Sequence, residues 1–479
     1  MRQPLRAAVD LALGAVHRAL TVHPDPKVVG RVGGVATDSR DVQPGDLFVA
    51  LRGERHDGHD FVDAALAAGA GGLLVSRVPP KESLKGPDVP VFVVPDTLEA
   101  LGNLAQWWRR RCGVRLVAVT GSNGKTTTKE MIAAVLAAGA GGRDRVLITP
   151  GNYNNFVGLP LTLLGARPDM TLGVVELGMN APGEIDALTR LAEPDVGLVT
   201  NAAEAHLARF DGVDGVARAK AEIWGRLSGD GCGVVPADDP RLRGLAAERF
   251  SGLTLRFGTA MDADVRVVDV TPKGDRGIRV TLAAVNTTLE VTLPLLGRHN
   301  ALNAAAATAA CLALGLGIDA IGEGLAQTVA LPHRAHVVRV GGLTVLDDCY
   351  NANPASARAG VQTLADLPGD GRLGAVVGDM LELGQASEAL HRRLGADLVD
   401  LGVSVVIGIG AMSSAVCEGA REAGADHVAH VATAVEAARA AQAHLGTGDR
   451  LLVKGSRSMG LEEVVAHLAA APDDLQESA

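Results

Sequence analysis

Leu116-Val-Ala-Val-Thr-Gly-Ser-Asn-Gly-Lys-Thr-Thr-Thr-Lys129 reads as a short apolar strand, a glycine loop, a lysine and a threonine run that opens a helix. Gly121 and Gly124 permit a tight turn that aims backbone N–H groups at an anion. The helix that follows adds the positive end of its dipole. Lys125 can bridge terminal phosphate oxygens, and the Thr126 hydroxyl can complete the shell of a Mg²⁺ ion. Val119 stands where the usual GxxxxGK[ST] pattern has its first glycine, so the loop is shorter than that pattern. With a strand before it and a helix after it, the stretch from Thr120 through Gly121, Ser122, Asn123, Gly124, Lys125 and Thr126 to Thr127 predicts a place to hold the phosphates of ATP.

Working outward, the chain falls into three blocks. Residues 1–112 alternate short apolar strands (46–51, 72–76, 91–94) with helical stretches at 60–68 and 98–111. Residues 113–330 begin with the glycine-loop strand and carry buried-strand runs at 172–176, 196–200 and 233–236. Helical segments separate these runs, which predicts a parallel, doubly wound sheet. Over 263–294 the pattern changes to alternation, predicting an antiparallel appendage, and a helix over 300–314 closes the block. Residues 331–479 start a second strand–helix alternation (344–347, 375–378, 403–407, 451–453), a Rossmann-like unit that ends in a polar tail. The expected class is α/β in three domains.

Composition narrows the function classes. At 479 residues, 47% hydrophobic and 21% charged, the chain is globular and long enough for several domains. A net charge of −10 without any Lys/Arg block speaks against nucleic acid as a partner. The five cysteines are scattered without CxxC pairing, so neither a disulfide framework nor a zinc site is suggested. Residues 11–20 are too short and too interrupted by His17 and Arg18 for a signal peptide, and no apolar run reaches transmembrane length. A cytoplasmic, membrane-free monomer is expected.

In open parallel sheets ligands bind beyond the carboxyl ends of the strands. That rule gathers Lys125 after the first central strand, Glu176 at the end of 172–176, and Asn201 to His206 after 196–200. A carboxylate and an imidazole beside a triphosphate are plausible metal ligands. Singly, each has an ordinary reading: a strand-end Glu is commonly a cap or ion-pair partner, and a loop His a solvated side chain. Lys220, in a stretch of helical spacing, reads by itself as a solvated lysine.

Together these residues resemble the Mur ligases, the ATP-dependent amide ligases of peptidoglycan precursor synthesis. The resemblance is carried by Thr120–Thr128, Glu176, Asn201 to His206, Lys220 within Ala-Lys-Ala-Glu-Ile, and Gly297-Arg-His-Asn-Ala-Leu-Asn303. Thr37-Asp-Ser-Arg40, Asp348-Cys-Tyr-Asn-Ala-Asn-Pro354, Val377-Gly-Asp-Met-Leu-Glu-Leu-Gly384 and Val453-Lys-Gly-Ser-Arg-Ser458 narrow it to the branch that joins D-alanyl-D-alanine to a UDP-N-acetylmuramoyl-tripeptide. The likeness runs in order from about residue 30 to residue 465.

The resemblance implies a UDP-substrate domain over 1–112, an ATP domain over 113–330 and a C-terminal domain over 331–479. It implies that Lys125 binds terminal phosphates, that Thr126, Glu176 and His206 serve a Mg²⁺ ion, and that Lys220 becomes carbamylated and joins them. His299, Asn300 and Asn303 would sit against the base, Asp348 near the ribose, and Arg334 on the phosphates. Asp38, Ser39 and Arg40 would touch the UDP part, while Asn351, Asn353, Lys454, Ser456 and Arg457 would lie near the interdomain cleft. Two positions depart from the family pattern: Pro332-His333-Arg334 replaces Pro-Gly-Arg, and Asp348-Cys349-Tyr350 replaces Asp-Ser-Tyr. A thiol is a weaker donor than a hydroxyl. Rival readings within reach are the Mur ligase that adds the third-residue diamino acid and a folylpolyglutamate-type ligase.

Overall fold

The computed structural model describes residues 6–20, 30–80, 82, 89–204, 207–284 and 286–470. Among these residues the strands form three sheets, in agreement with the α/β class. The first sheet holds β1 (Arg6–Ala12), β2 (Arg31–Ala36), β3 (Leu47–Val49), β4 (Gly72–Val75) and β5 (Val91–Val93) in that spatial order. β1 lies antiparallel to β2, and the remaining neighbours are parallel.

The helix Thr97–Cys112 joins this sheet to the next. Asp96 caps it by accepting from the N–H groups of Leu98 (2.8 Å) and Glu99 (3.0 Å), and Gly113 ends it in the left-handed conformation. Its buried Leu101, Leu104, Ala105 and Trp108 recur at helical spacing and enter an apolar core shared with Leu116, Leu163 and Ile185 of the central block. Trp108 Nε1 donates to the Ala166 carbonyl at 2.8 Å, which satisfies the polar end of a buried ring.

The central sheet contains β6 (Arg115–Thr120), β7 (Val146–Ile148), β8 (Leu172–Glu176), β9 (Val196–Val199), β10 (Cys232–Pro236), β11 (Leu253–Gly258), β12 (Val265–Pro272), β13 (Ile278–Ala284) and β14 (Thr287–Leu293). Its order is β14-β13-β12-β11-β10-β9-β6-β8-β7. β6 therefore lies between β8 and β9, at the point where the chain reverses its direction of travel across the sheet. A crevice at that reversal is where open α/β sheets bind ligands. The expected appendage is instead the edge of this same sheet: β12 pairs in parallel with β11, and β13 and β14 continue it antiparallel. β12 and β13 pack on the helix His299–Ala313, whose alanine-rich surface allows close approach, and β14 packs on the helix Ile318–Ala326.

The third sheet has the order β15 (His336–Val340), β16 (Leu343–Asp347), β20 (Arg450–Lys454), β17 (Leu373–Gly378), β18 (Val403–Ile409) and β19 (His427–Val431), parallel except for β15. No helix among the described residues is long and apolar enough to cross a membrane.

Candidate active site

Register sets the site. Val119 of β6 stands beside Glu176 of β8, and Thr120 stands beside Val199 of β9, so three strands end level with one another. The loop that leaves β6 is then held from below. Asn123 N–H donates to Asn201 Oδ1 at 2.9 Å, and Asn201 Nδ2 returns a bond to the Asn123 carbonyl at 3.0 Å. Thr200 Oγ1 donates to the same carbonyl at 2.6 Å, and Thr120 Oγ1 donates to the Leu177 carbonyl at 2.9 Å. Gly121 has φ 150° and packs so closely that a Cβ would lie 1.8 Å from Thr200 Oγ1. The Lys125 ammonium folds back to the Gly121 and Ser122 carbonyls at 2.7 and 3.3 Å. Burial pushes it below the ordinary lysine value, Glu176 opposes that, and Arg334 adds to it.

Glu176 is 2% exposed. Its backbone N–H is held by Thr149 Oγ1 at 3.0 Å, and its Oε1 accepts from Asn154 Nδ2 at 2.9 Å. Among the described residues, none hydrogen-bonds its buried Oε2. A buried anionic oxygen left unpaired is costly unless a cation or donor joins it, so this donor set fits a divalent metal. Lys220, the last residue of the helix Gly212–Lys220, lines the same cleft at 1% exposure. Burial, aided by the charge of Lys125, holds it well below the ordinary lysine value. His206 lies outside the described residues.

The opposite wall comes from the third sheet. Arg334 reaches across to Thr126, its Nη2 donating to Oγ1 at 3.1 Å, while its guanidinium lies 3.9 Å from the centre of the Tyr350 ring. Asn353 Nδ2 donates to Asn123 Oδ1 at 2.6 Å. Lys454, only 3% exposed, donates to Asp348 Oδ2 at 2.5 Å and to the Asn351 carbonyl at 2.9 Å. Asp348 Oδ1 also accepts from Ala335 N–H at 3.1 Å. The two walls enclose a cleft of about 1590 Å³.

Comparison with known proteins resolves the family. Three family models match: "Mur ligase family, catalytic domain" over 31–109, "Mur ligase middle domain" over 119–311, and "Mur ligase, glutamate ligase domain" over 333–457. The Escherichia coli (strain K12) UDP-N-acetylmuramoyl-tripeptide–D-alanyl-D-alanine ligase is 42% identical, across 91% of this chain and 93% of its own. The chain belongs to the Mur ligase family. Among solved structures, MurF from Acinetobacter baumannii superposes with a TM-score of 0.86 at 33% identity, covering 97% of this chain and 100% of that one. MurF ligase from Thermotoga maritima, in complex with ADP, gives 0.80 at 29% identity, covering 91% and 96%.

This Mur ligase gathers residues from all along the two larger sheets. Ser122, Asn123, Gly124, Lys125, Thr126 and Thr127 line the cleft, as do Glu176, Lys220, His299, Asn300 and Asn303. Arg334, Asp348, Asn351, Asn353, Lys454, Ser456 and Arg457 face them. Asp38, Ser39 and Arg40 follow β2 in the first sheet, outside the cleft lining; Arg40 grips Asp38 with two bonds of 2.9 and 2.6 Å. Sequence reasoning missed Thr149, Asn154 and Tyr350, and also Lys129. The last is fully buried, donating to the Thr149 carbonyl at 2.8 Å and pairing with Glu130 at 2.9 Å. The legible signal for Asn154 was the polar Asn152-Tyr-Asn-Asn155 turn, which follows the apolar run of β7.

Proposed function

We propose that this chain is an ATP-dependent, ADP-forming ligase that joins the amine of D-alanyl-D-alanine to the free carboxylate of a UDP-N-acetylmuramoyl-tripeptide, in peptidoglycan precursor synthesis. One observation carries the reading. The phosphate loop with Lys125, Glu176 and Lys220 faces Arg334, Asn353 and Lys454 across a single cleft. Similarity at 42% identity to a relative named for that reaction supports the choice of substrates.

A carboxylate cannot be attacked directly, because oxide is too poor a leaving group. Transfer of the ATP γ-phosphoryl group to it gives an acyl phosphate and ADP. The neutral amine then adds to the carbonyl carbon, and inorganic phosphate leaves as the amide forms. Phosphoryl transfer asks chiefly for positioning and charge neutralisation. The loop from Thr120 to Thr127 cradles the phosphates, Lys125 meets their terminal oxygens, and Arg334 approaches from the other wall. Thr126, Glu176 through Oε2, which has no hydrogen-bond partner among the described residues, His206 and Lys220 would hold Mg²⁺. When bound, Mg²⁺ neutralises charge on the transferred group.

Lys220 fits its place as a carbamate. The neutral amine attacks CO₂, forming an N–C bond and releasing one proton to solvent, so that the uncharged side chain becomes an anion in the cleft that Glu176 also lines. Its lowered basicity supplies the neutral amine that this step needs. His299, Asn300 and Asn303 take the base, Asp348 the ribose, and Asp38, Ser39 and Arg40 the UDP portion. Asn351, Asn353, Lys454, Ser456 and Arg457 border the acceptor. Both walls come from one polypeptide, so a monomer suffices, and we assign its work to the cytoplasm.

The deciding assay measures ADP release with each substrate alone and with both. Release that requires a UDP-N-acetylmuramoyl-tripeptide together with D-alanyl-D-alanine is expected. Equal release with a free diamino acid and the shorter UDP-dipeptide, or with a folate acceptor, overturns the reading. Acceptors ending in diaminopimelate and in lysine, run in parallel, identify the third residue.

A further inference from the structure

The two positions that depart from the family pattern meet in space. His333 Nδ1 lies 2.7 Å from Asp347 Oδ2, Cys349 Sγ lies 2.8 Å from Asp347 Oδ1, and the sulfur and imidazole nitrogen are 3.7 Å apart. All three ligand atoms fall within 4.8 Å of one another, and none of the three residues lines the catalytic cleft. We propose that His333, Asp347 and Cys349 form a binding site for a zinc-class divalent cation, with its fourth position left to water.

The donor set selects the ion. Imidazole nitrogen, thiolate and one carboxylate oxygen suit zinc, whereas Mg²⁺ and Ca²⁺ take oxygen ligands in higher number. A tetrahedral centre with Zn–S of about 2.3 Å and Zn–N of about 2.0 Å sets its sulfur and nitrogen about 3.5 Å apart, close to the spacing already present. The two contacts to Asp347 are hydrogen bonds without metal and lengthen by about half an ångström as it enters. The proton balance is simple. Cys349 gives up its thiol proton to solvent, and the His333 proton moves to Nε2, freeing Nδ1. Cys349 is 1% exposed and Asp347 4%, but the His333 side chain is 34% exposed, which leaves an entry on the imidazole side.

The place in the fold gives the site a consequence. His333 and Ala335 flank Arg334, and both hold left-handed backbone, at φ 60° and 52°. Asp347 ends β16 and Cys349 follows it, so the ion would tie the Arg334 turn to the third sheet. His333 already bonds there through its carbonyl, which accepts from Tyr350 N–H at 3.0 Å. Metal binding thus acts on Arg334 by position, apart from the Mg²⁺ site at Glu176.

Cobalt substitution tests this on the full chain, purified without a histidine tag. Titration with Co²⁺ should raise one equivalent of thiolate-to-cobalt charge-transfer absorption in the near ultraviolet. Zn²⁺ should bleach it, and excess Mg²⁺ should not. Cys349→Ser, a near-isosteric change, should abolish the band, and His333→Gly should weaken Zn²⁺ binding by more than about tenfold. Glu176→Gln should leave the band intact, which separates this site from the catalytic one. No band in the unaltered chain, or one that survives Cys349→Ser, overturns the proposal.

Discussion

Asn123 of the phosphate loop and Asn353 at the start of the helix Pro354–Ala365 donate to each other's side-chain oxygens, at 2.6 Å from Asn353 and 3.4 Å from Asn123. The pair spans the cleft and joins parts of the chain that are 230 residues apart. Asn353 has a second task, because its Oδ1 caps the helix by accepting from Ser356 N–H at 2.9 Å.

The two tasks can be separated by substitution. Asn353→Asp keeps the capping oxygen and loses the donor toward Asn123; Asn353→Ala loses both. We expect the aspartate variant to stay within about 0.5 kcal/mol of the parent in urea unfolding, and the alanine variant to lose about 1 kcal/mol. Both should lower kcat/KM for the nucleotide. Full turnover in Asn353→Asp would show that the bridge is incidental.

Arg334 depends on Tyr350 for its aim. A guanidinium 3.9 Å above an aromatic centre is held by the ring's electron-rich face, and its Nη2 is then presented to Thr126. Tyr350→Phe keeps that face and should leave kcat/KM within about twofold. Removing the ring in Tyr350→Ala forfeits about 0.5–1 kcal/mol, a loss of about two- to fivefold. Arg334→Lys should cost more than either, since lysine neither stacks nor presents a fork. Steady-state kinetics at varied ATP check the order, and an unaffected Tyr350→Ala would contradict it.

A carbamate at Lys220, as proposed, would couple catalysis to dissolved CO₂, and the buried amine ties stability to pH. An ordinary lysine is only about 0.04% neutral at pH 7, so burial matters to carbamate formation. Its folded-state basicity is lowered, so the unfolded chain takes up the proton first as pH falls from 10.5. In CO₂-free buffer, stability should therefore rise with pH from the lowered value up to about 10.5, and the full penalty is present below it. Lys220→Met should remove one proton's worth of that slope. Activity should fall in scrubbed buffer and return with bicarbonate, whereas Lys220→Ala should be nearly inactive and partly rescued by a short carboxylate. Indifference of the parent enzyme to bicarbonate would dismiss the carbamate.

Much of this cleft was legible because periodicity marks buried parallel strands. Leu172–Glu176 was read with its true ends, and the strand-end rule alone brought Glu176 to Lys125. Edge strands were less visible. β1 alternates in burial, with Ala7, Val9 and Leu11 inside, yet Asp10 interrupts its apolar run. β15 and β19 lie at sheet margins, half-buried, and are not among the strands read from the sequence. The 263–294 alternation announced antiparallel strands but not the edge they would join, because pairing partners leave no local mark. The His333–Asp347–Cys349 cluster was hidden for the same reason, since a turn and a strand end bring it together rather than any CxxC-like spacing.

Gly124 offers a test of packing in the phosphate loop. It sits at φ 79°, and a Cβ there would lie 2.3 Å from Asn303 Oδ1. Asn303 cannot easily yield, because it is 7% exposed and its Nδ2 donates to Asn300 Oδ1 at 2.8 Å. Gly124→Ala therefore incurs left-handed strain of about 1–2 kcal/mol and a steric clash besides. Asn303→Ala in the same chain removes the clash and leaves the strain. We expect the glycine substitution to cost at least about 0.5 kcal/mol less in that background, read as ADP binding by calorimetry and as unfolding midpoints. Simple additivity of the two changes would mean that the loop and the helix His299–Ala313 do not meet at this point, and the shape assigned to the nucleotide pocket would then have to be redrawn.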